Sequence, residues 1–190
     1  YDALRFTATT PMNVSITDTT ITDGSGGGIY AYSTDSTTAP LNMNLSGLEM
    51  TNMFNDAIEL SSATIFLEDF TVDGAQNGLD LTNCTLDMSD VNISNTTSDG
   101  IRVASTDITA DTITITNAGV DGLEITGGTL LLSNAQVDAS TGSGLYASNS
   151  ADVSIDNSVF QNGVHGLKLE GTDTVPVTFS ITNSSFDLNS

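Results

Sequence analysis

The chain has 190 residues and a formal net charge of −21, from 24 acidic side chains against Arg5, Arg102 and Lys168. Nucleic acid is excluded as a natural partner, because phosphate binding needs a basic patch. No apolar run is long enough for a membrane-spanning helix, and there is no zinc-ligand spacing, no GxxxxGK phosphate loop and no dinucleotide fingerprint.

From the N-terminus onward one pattern returns, apolar-x-apolar-x-x-apolar-x-apolar. The inner copies are Ile65, Leu67, Phe70, Val72, then Leu86, Met88, Val91, Ile93, then Ile108, Ala110, Ile113, Ile115, and Leu130, Leu132, Ala135, Val137. Weaker copies start at Val14, Met43, Val153 and Phe179, so eight cover the chain. Each follows a small residue and an aliphatic one, as in Gly100–Ile101. The small residue is Ala3, Gly28, Ala57, Gly78, Gly100, Gly122, Gly144 or Gly166, and from Ala57 the intervals are 21, 22, 22, 22 and 22. A fixed period of this size is the mark of a repeat architecture.

Alternation with period two is a strand signal. Each repeat is predicted to hold three short strands, in the fifth at 101–103, 108–110 and 113–115, separated by bends rich in Ser, Thr, Asn, Asp and Gly. No window keeps a helical apolar face. Three strands per repeat close one coil, and stacked coils pair each strand with its equivalent about 4.8 Å away, giving a rod of about 38 Å for eight coils. Leu123 and Ile113 should point inward, and Glu124 and Thr114 outward. Only two residues separate the second and third strands. The second of them is Asp18, Gly47, Asp69, Asp90, Thr112, Asn134, Asn157 or Asn183, mostly types that tolerate the left-handed backbone a tight corner needs. The glycines of the small position are read as marking a tight backbone turn. Insertions at 33–40 and 171–176 are polar loops, and Cys84, the single cysteine, is expected to be a buried, inert thiol in a turn.

These features together resemble the right-handed parallel β-helix family of pectate lyase and its relatives, which also stacks Asn-type residues at its short turn. The resemblance covers all eight repeats. It implies an all-β, right-handed parallel β-helix solenoid of about eight coils of about 22 residues, one domain over 1–190.

The outward residue of each first strand is Arg5, Tyr30, Glu59, Asp80, Arg102, Glu124, Tyr146 and Lys168. The residue before each small position is Asp2, Gly27, Asp56, Asn77, Asp99, Asp121, Ser143 and His165. The two rows are predicted to form one face, which gathers every basic residue and the single His. In polysaccharide-acting members of the family the substrate groove runs along this strand. The resemblance therefore implies a glycan site on Tyr30, Glu59, Asp80, Arg102, Glu124, Tyr146, His165 and Lys168, with the tyrosines stacking on sugar rings. Lyases of the family use Ca²⁺ with acidic ligands and a basic proton acceptor. By that resemblance Asp99 and Asp121, one coil apart, would share Ca²⁺, and Arg102, with Asp80 and Glu124, would be the catalytic group. Read from the residues alone, Asp80, Arg102 and Glu124 are equally a cross-strand charge ladder. His165–Gly166 resembles the His-Gly of polygalacturonases, but their paired-Asp and Arg-Ile-Lys motifs are absent, so that activity is not carried over. The outward row of the third strands, Thr20, Glu49, Thr71, Asn92, Thr114, Gln136, Val159 and Ser185, is too irregular for an ice-binding array.

Sequons stand at Asn13, Asn44, Asn83, Asn92, Asn95 and Asn183, candidate glycosylation sites in a secreted chain. No cap is recognisable at either end, so the expectation is a segment of a longer solenoid or a subunit whose coils stack on neighbours. The functional expectation is an extracellular, adhesin-like β-helix module of a surface protein that binds polysaccharide or cell-surface glycan, with no required cofactor and Ca²⁺ as an optional one. The alternative is a lyase or hydrolase acting on an acidic polysaccharide.

Overall fold

The computed structural model describes residues 1–138, 140–149, 151–171 and 176–187. Among them are seventeen strands and no helix, and every strand pairing is parallel. The chain is a solenoid of eight coils. Along the first strands the register runs Leu4, Ile29, Ile58, Leu79, Ile101, Leu123, Leu145 and Leu167, each opposite the next. This is the small-plus-aliphatic series of the sequence, coil on coil.

The inner residues form one continuous core, from Ala8 to Phe160. Leu123 and Ile113 are buried as expected. Glu124 and Thr114 are half-buried rather than exposed, because neighbours one coil above and below stand against each of them. The outermost coils have a neighbour on one side only, so Leu4, Phe6, Met12, Val14 and Ile16 at one end, and Leu167, Ile181 and Phe186 at the other, are only partly buried.

All eight corner residues predicted between the second and third strands have positive φ: Asp18, Gly47, Asp69, Asp90, Thr112, Asn134, Asn157 and Asn183, between +47° and +62°. One such residue turns the chain so sharply that hydrogen bonding hardly lapses. The expected separate strands therefore often run together, as in Met12–Thr22, Leu41–Thr51 and Ala63–Ala75. In the fifth coil Ile101–Thr116 carries all three. Two further corners use the same device. Ser62, Asn83, Ser105, Gly127 and Asn149 follow the first strands, and Asp23, Asn52, Gly74, Asn95, Asn117 and Asn162 follow the third.

The glycines of the small position have a different cause from the expected turn. Gly100 is not in the left-handed region. A Cβ there would stand 2.6 Å from the Gly122 carbonyl oxygen and 2.6 Å from Cγ2 of Ile115. Gly78 faces Gly100 and Ile93 in the same way. The position is small because the first strand presses against the third strand's aliphatic and the next coil's backbone.

The insertion at 33–40 is a turn held by Asp35, whose carboxylate accepts from Thr37 N (2.9 Å) and Thr38 Oγ1 (2.7 Å). The one at 171–176 falls mainly on 172–175, outside the described residues. Cys84 is buried, with its thiol directed at the carbonyls of Leu60 and Thr82, and burial pushes that thiol up from its ordinary pKa.

Gly100→Ala is expected to destabilise the chain by about 1–3 kcal/mol, the usual cost of overpacking. Asn134→Gly keeps the left-handed corner and loses only side-chain hydrogen bonds, so it should cost about 1 kcal/mol or less. Denaturant unfolding of the two variants measures the order.

Candidate functional site

The outward residues of the first strands stand in register as a single ladder: Arg5, Tyr30, Glu59, Asp80, Arg102, Glu124, Tyr146, Lys168. Its cations are each engaged. The Arg5 guanidinium lies 4.7 Å from the Tyr30 ring centre and Lys168 Nζ 4.9 Å from that of Tyr146. Arg102 Nη2 pairs with Asp80 Oδ2 at 2.5 Å. Lys168 Nζ also meets Glu170 Oε1 at 2.8 Å, and the Tyr146 hydroxyl donates to Glu170 Oε2 at 2.7 Å. Glu170 was missed in the sequence, although it lies two residues beyond Lys168 on the same side of the strand.

Two of the shallow clefts along the ladder are lined by residues of the expected face. One, of about 300 Å³, lies among Tyr30, Glu59, Asp80 and Arg102. The other, of about 370 Å³, lies among Asp121, Tyr146, His165 and Lys168. His165 is exposed, and its Nδ1 is 2.8 Å from the Val164 carbonyl oxygen. The structure thus brings Asp80 to Arg102, with Glu124 one coil on, and puts His165 at the other cleft.

The second row of the expected face is not an outer surface throughout. Asn77 is 1% and Asp99 3% exposed. They belong to an internal ladder in which each side-chain oxygen accepts the backbone N–H one coil further on. Asp56 Oδ1 accepts from Asn77 N (3.0 Å), Asn77 Oδ1 from Asp99 N (2.9 Å), Asp99 Oδ1 from Asp121 N (2.9 Å) and Asp121 Oδ1 from Ser143 N (2.5 Å). Asp99 and Asp121 are therefore adjacent, as the cation expectation requires, but one oxygen of each is already committed. Among the described residues no group of three or more potential ligands converges on a common point. The asparagines of all six sequons are exposed, though Asn95 and Asn183 donate from Nδ2 to Asp73 and Asp156.

Loss of hydration holds the carboxyls of Asp56, Glu59, Asp99 and Glu124 above their ordinary range. Neighbouring carboxylates add to it, and Glu124 also shares a side-chain hydrogen bond with Asp99. Arg102 is pushed up by its bond to Asp80. On the outer corners the sign is opposite. Asp111 is held low by donors from Ser133 and Asn134, and Asp156 by Thr182 and Asn183.

Residues 46–190 match the family described as the right-handed β-helix region. The chain belongs to this β-helix family. No curated protein matches its sequence. Among solved structures, this β-helix is similar to the catalytic unit of an α-1,3-glucanase from Streptomyces thermodiastaticus, at 11% identity and TM-score 0.40, over 98% of this chain and 64% of the glucanase. It thus spans less than two thirds of that protein. It is also similar to the periplasmic alginate epimerase AlgG, at 8% identity and TM-score 0.34, over 92% of this chain and 77% of that one. A third is endopolygalacturonase I from Stereum purpureum, at 11% identity and TM-score 0.19, over 100% and 95% of the two chains. No helix of this β-helix chain is long and apolar enough to cross a membrane among the described residues.

The raised carboxyls bind protons at a higher pH in the folded than in the unfolded chain, so the protein should gain stability as pH falls from neutral through their folded pKa values. Asp111 and Asp156 contribute above the ordinary carboxylate pKa and lose that contribution as pH falls through their lowered values. The melting temperature should therefore rise from pH 7.5 to about 5 and fall again below about 3.5. Asp99→Asn keeps an acceptor for Asp121 N–H, as Asn77 does naturally, and removes a buried charge. It should melt about 2–4 °C higher at pH 7.5 and show a flatter rise toward pH 5. Calorimetric scans across pH check both.

Proposed function

We propose that the first-strand face binds neutral or amino-sugar glycans without cleaving them, and that the chain is a carbohydrate-binding, adhesin-like module of an extracellular or cell-surface protein. The single observation that supports this reading most is the unbroken ladder with a tyrosine near each end and Glu59, Asp80, Arg102 and Glu124 between them. Tyr30 and Tyr146 are five coils apart, about 24 Å at strand spacing, a length suited to an extended oligosaccharide lying along the rod. Aromatic rings offer flat apolar area to sugar C–H faces, and the carboxylates between them accept hydroxyl donors.

The paired cations disfavour an acidic glycan. A polyuronate needs free positive charge, whereas Arg102 is held by Asp80 and Lys168 by Glu170, and the chain carries −21 overall. The same pairing disfavours lyase chemistry. A proton acceptor must first lose its own proton, and the bond to Asp80 makes that harder for Arg102. One observation favours a second reading as a hydrolase. Glu124 is half-buried with a raised carboxyl pKa, the property of a general acid.

Titration with neutral, amino and uronic oligosaccharides should show binding of the first two classes only, weakened about tenfold by Tyr30→Ala or Tyr146→Ala. Reducing ends should not accumulate. Cleavage abolished by Glu124→Gln would establish the hydrolase reading, and unsaturated products abolished by Arg102→Ala the lyase. On this account the face needs no metal, so NaCl and CaCl₂ at matched ionic strength should raise the melting temperature equally, by screening. An excess effect of Ca²⁺ that disappears in Asp121→Asn would place the cation between Asp99 and Asp121.

A further inference from the structure

The corner after each third strand carries its own ladder of left-handed residues: Asp23, Asn52, Gly74, Asn95 and Asn117 in successive coils. Asn52 Nδ2 donates to Asp23 Oδ1 at 3.0 Å, and Asn117 Nδ2 to Asn95 Oδ1 at 3.1 Å. Between these pairs the ladder breaks. Position 74 has no side chain, Asn95 Nδ2 donates to Asp73 Oδ1 at 2.6 Å, and among the described residues Asn52 Oδ1, beside the gap, has no donor.

A cleft of about 840 Å³ opens at this break, larger than either cleft on the first-strand face. Phe54 stands on its wall 77% exposed, while its backbone is fixed by a hydrogen bond from Phe54 N to the Gly24 carbonyl, 2.9 Å. The exposed Gln76, also in the lining, makes no side-chain hydrogen bond among the described residues. Asp23 is the lone charged residue of the lining, and no cation contributes to it.

We propose that this gap in the corner ladder is a second carbohydrate site, independent of the first-strand face, which takes one neutral sugar residue. The sugar ring lies against Phe54. Its hydroxyls donate to Asn52 Oδ1 and Asp23, and accept from the Gln76 amide. A purely apolar ligand would leave Asn52 Oδ1 unpaired, and an anionic one would meet Asp23 with no compensating cation.

The break can be repaired. Gly74 has φ of +82°, and a Cβ there meets Asn52 no closer than 3.6 Å. Asn tolerates that backbone region, so Gly74→Asn should complete the ladder, fill the cleft and melt at or above the parent temperature. The probes are maltotetraose, cellotetraose and laminaritetraose, each followed by NMR shifts of the Gln76 side-chain amide and the residue 74 backbone amide. At least one should shift both signals in the parent chain. The affinity should fall about tenfold or more in Gly74→Asn and in Phe54→Ala, and should persist in the Tyr30→Ala/Tyr146→Ala double variant, which reports the first-strand face alone. Absence of shifts with every probe, or undiminished binding in either cleft variant, would overturn the proposal.

Discussion

A coil of three parallel strands can repeat only if the chain turns at the same three places each time and each strand re-enters in the same register. A one-residue slip in pairing would send the next strand's apolar side chains to solvent, and even after the insertion at 33–40 the strand Leu41–Thr51 returns to register. The left-handed residue at each corner meets this constraint, because it bends the backbone sharply without breaking the hydrogen-bond ladder on either side. The αL conformation costs most residues about 1–2 kcal/mol. Asn and Asp reduce that cost by hydrogen bonding locally, and here the side chains also bond along the stack, as Asn157 does to Asn134. Register, core and surface rows all depend on these corners.

Once the register is set, side chains of equal position become neighbours whatever their chemistry. Arg5, Tyr30, Glu59, Asp80, Arg102, Glu124, Tyr146 and Lys168 are far apart in sequence and adjacent in space. The same rule brings like charges together. The chain manages its acidity by pairing the scarce cations on this face and by using carboxylates as acceptors for backbone N–H groups. Asp99 is the extreme case, a buried carboxyl whose hydrogen bonds only partly offset its lost hydration. Where the corner ladder loses one rung at Gly74, the surface gains a cleft instead.

Fold and face were legible in the sequence because both follow from periodicity. The recurring small-plus-aliphatic pair and the two-residue corner are enough to place every first-strand residue in register and to name all eight left-handed residues of that corner. The other two corners are legible only as polar bends and their left-handed residues are not, although Asn83, Ser105 and Asn149, or Asn95, Asn117 and Asn162, recur near the same interval. Their types vary between Asn, Ser and Gly, so no single residue marks them. The burial of Asn77 and Asp99 was also not legible. Strand alternation says which side of a strand a residue takes, but not that the residue just before the strand folds beneath the edge to bond the next coil. The glycines were assigned to the right place for the wrong reason, since a close approach of two strands leaves no trace in one strand's pattern. Gly74 looked like any other loop glycine, and only the stacking of its neighbours reveals it as a gap.

One register carries the whole first-strand face. Spin labels at Tyr30→Cys and Tyr146→Cys test it directly, and the buried Cys84 does not compete for label. Pulsed electron resonance should give one narrow distance distribution consistent with five coil spacings, about 24 Å between backbones. Failure of either position to take label, or a broad distribution centred well away from that length, would mean the coils do not stack in this register and would contradict the account.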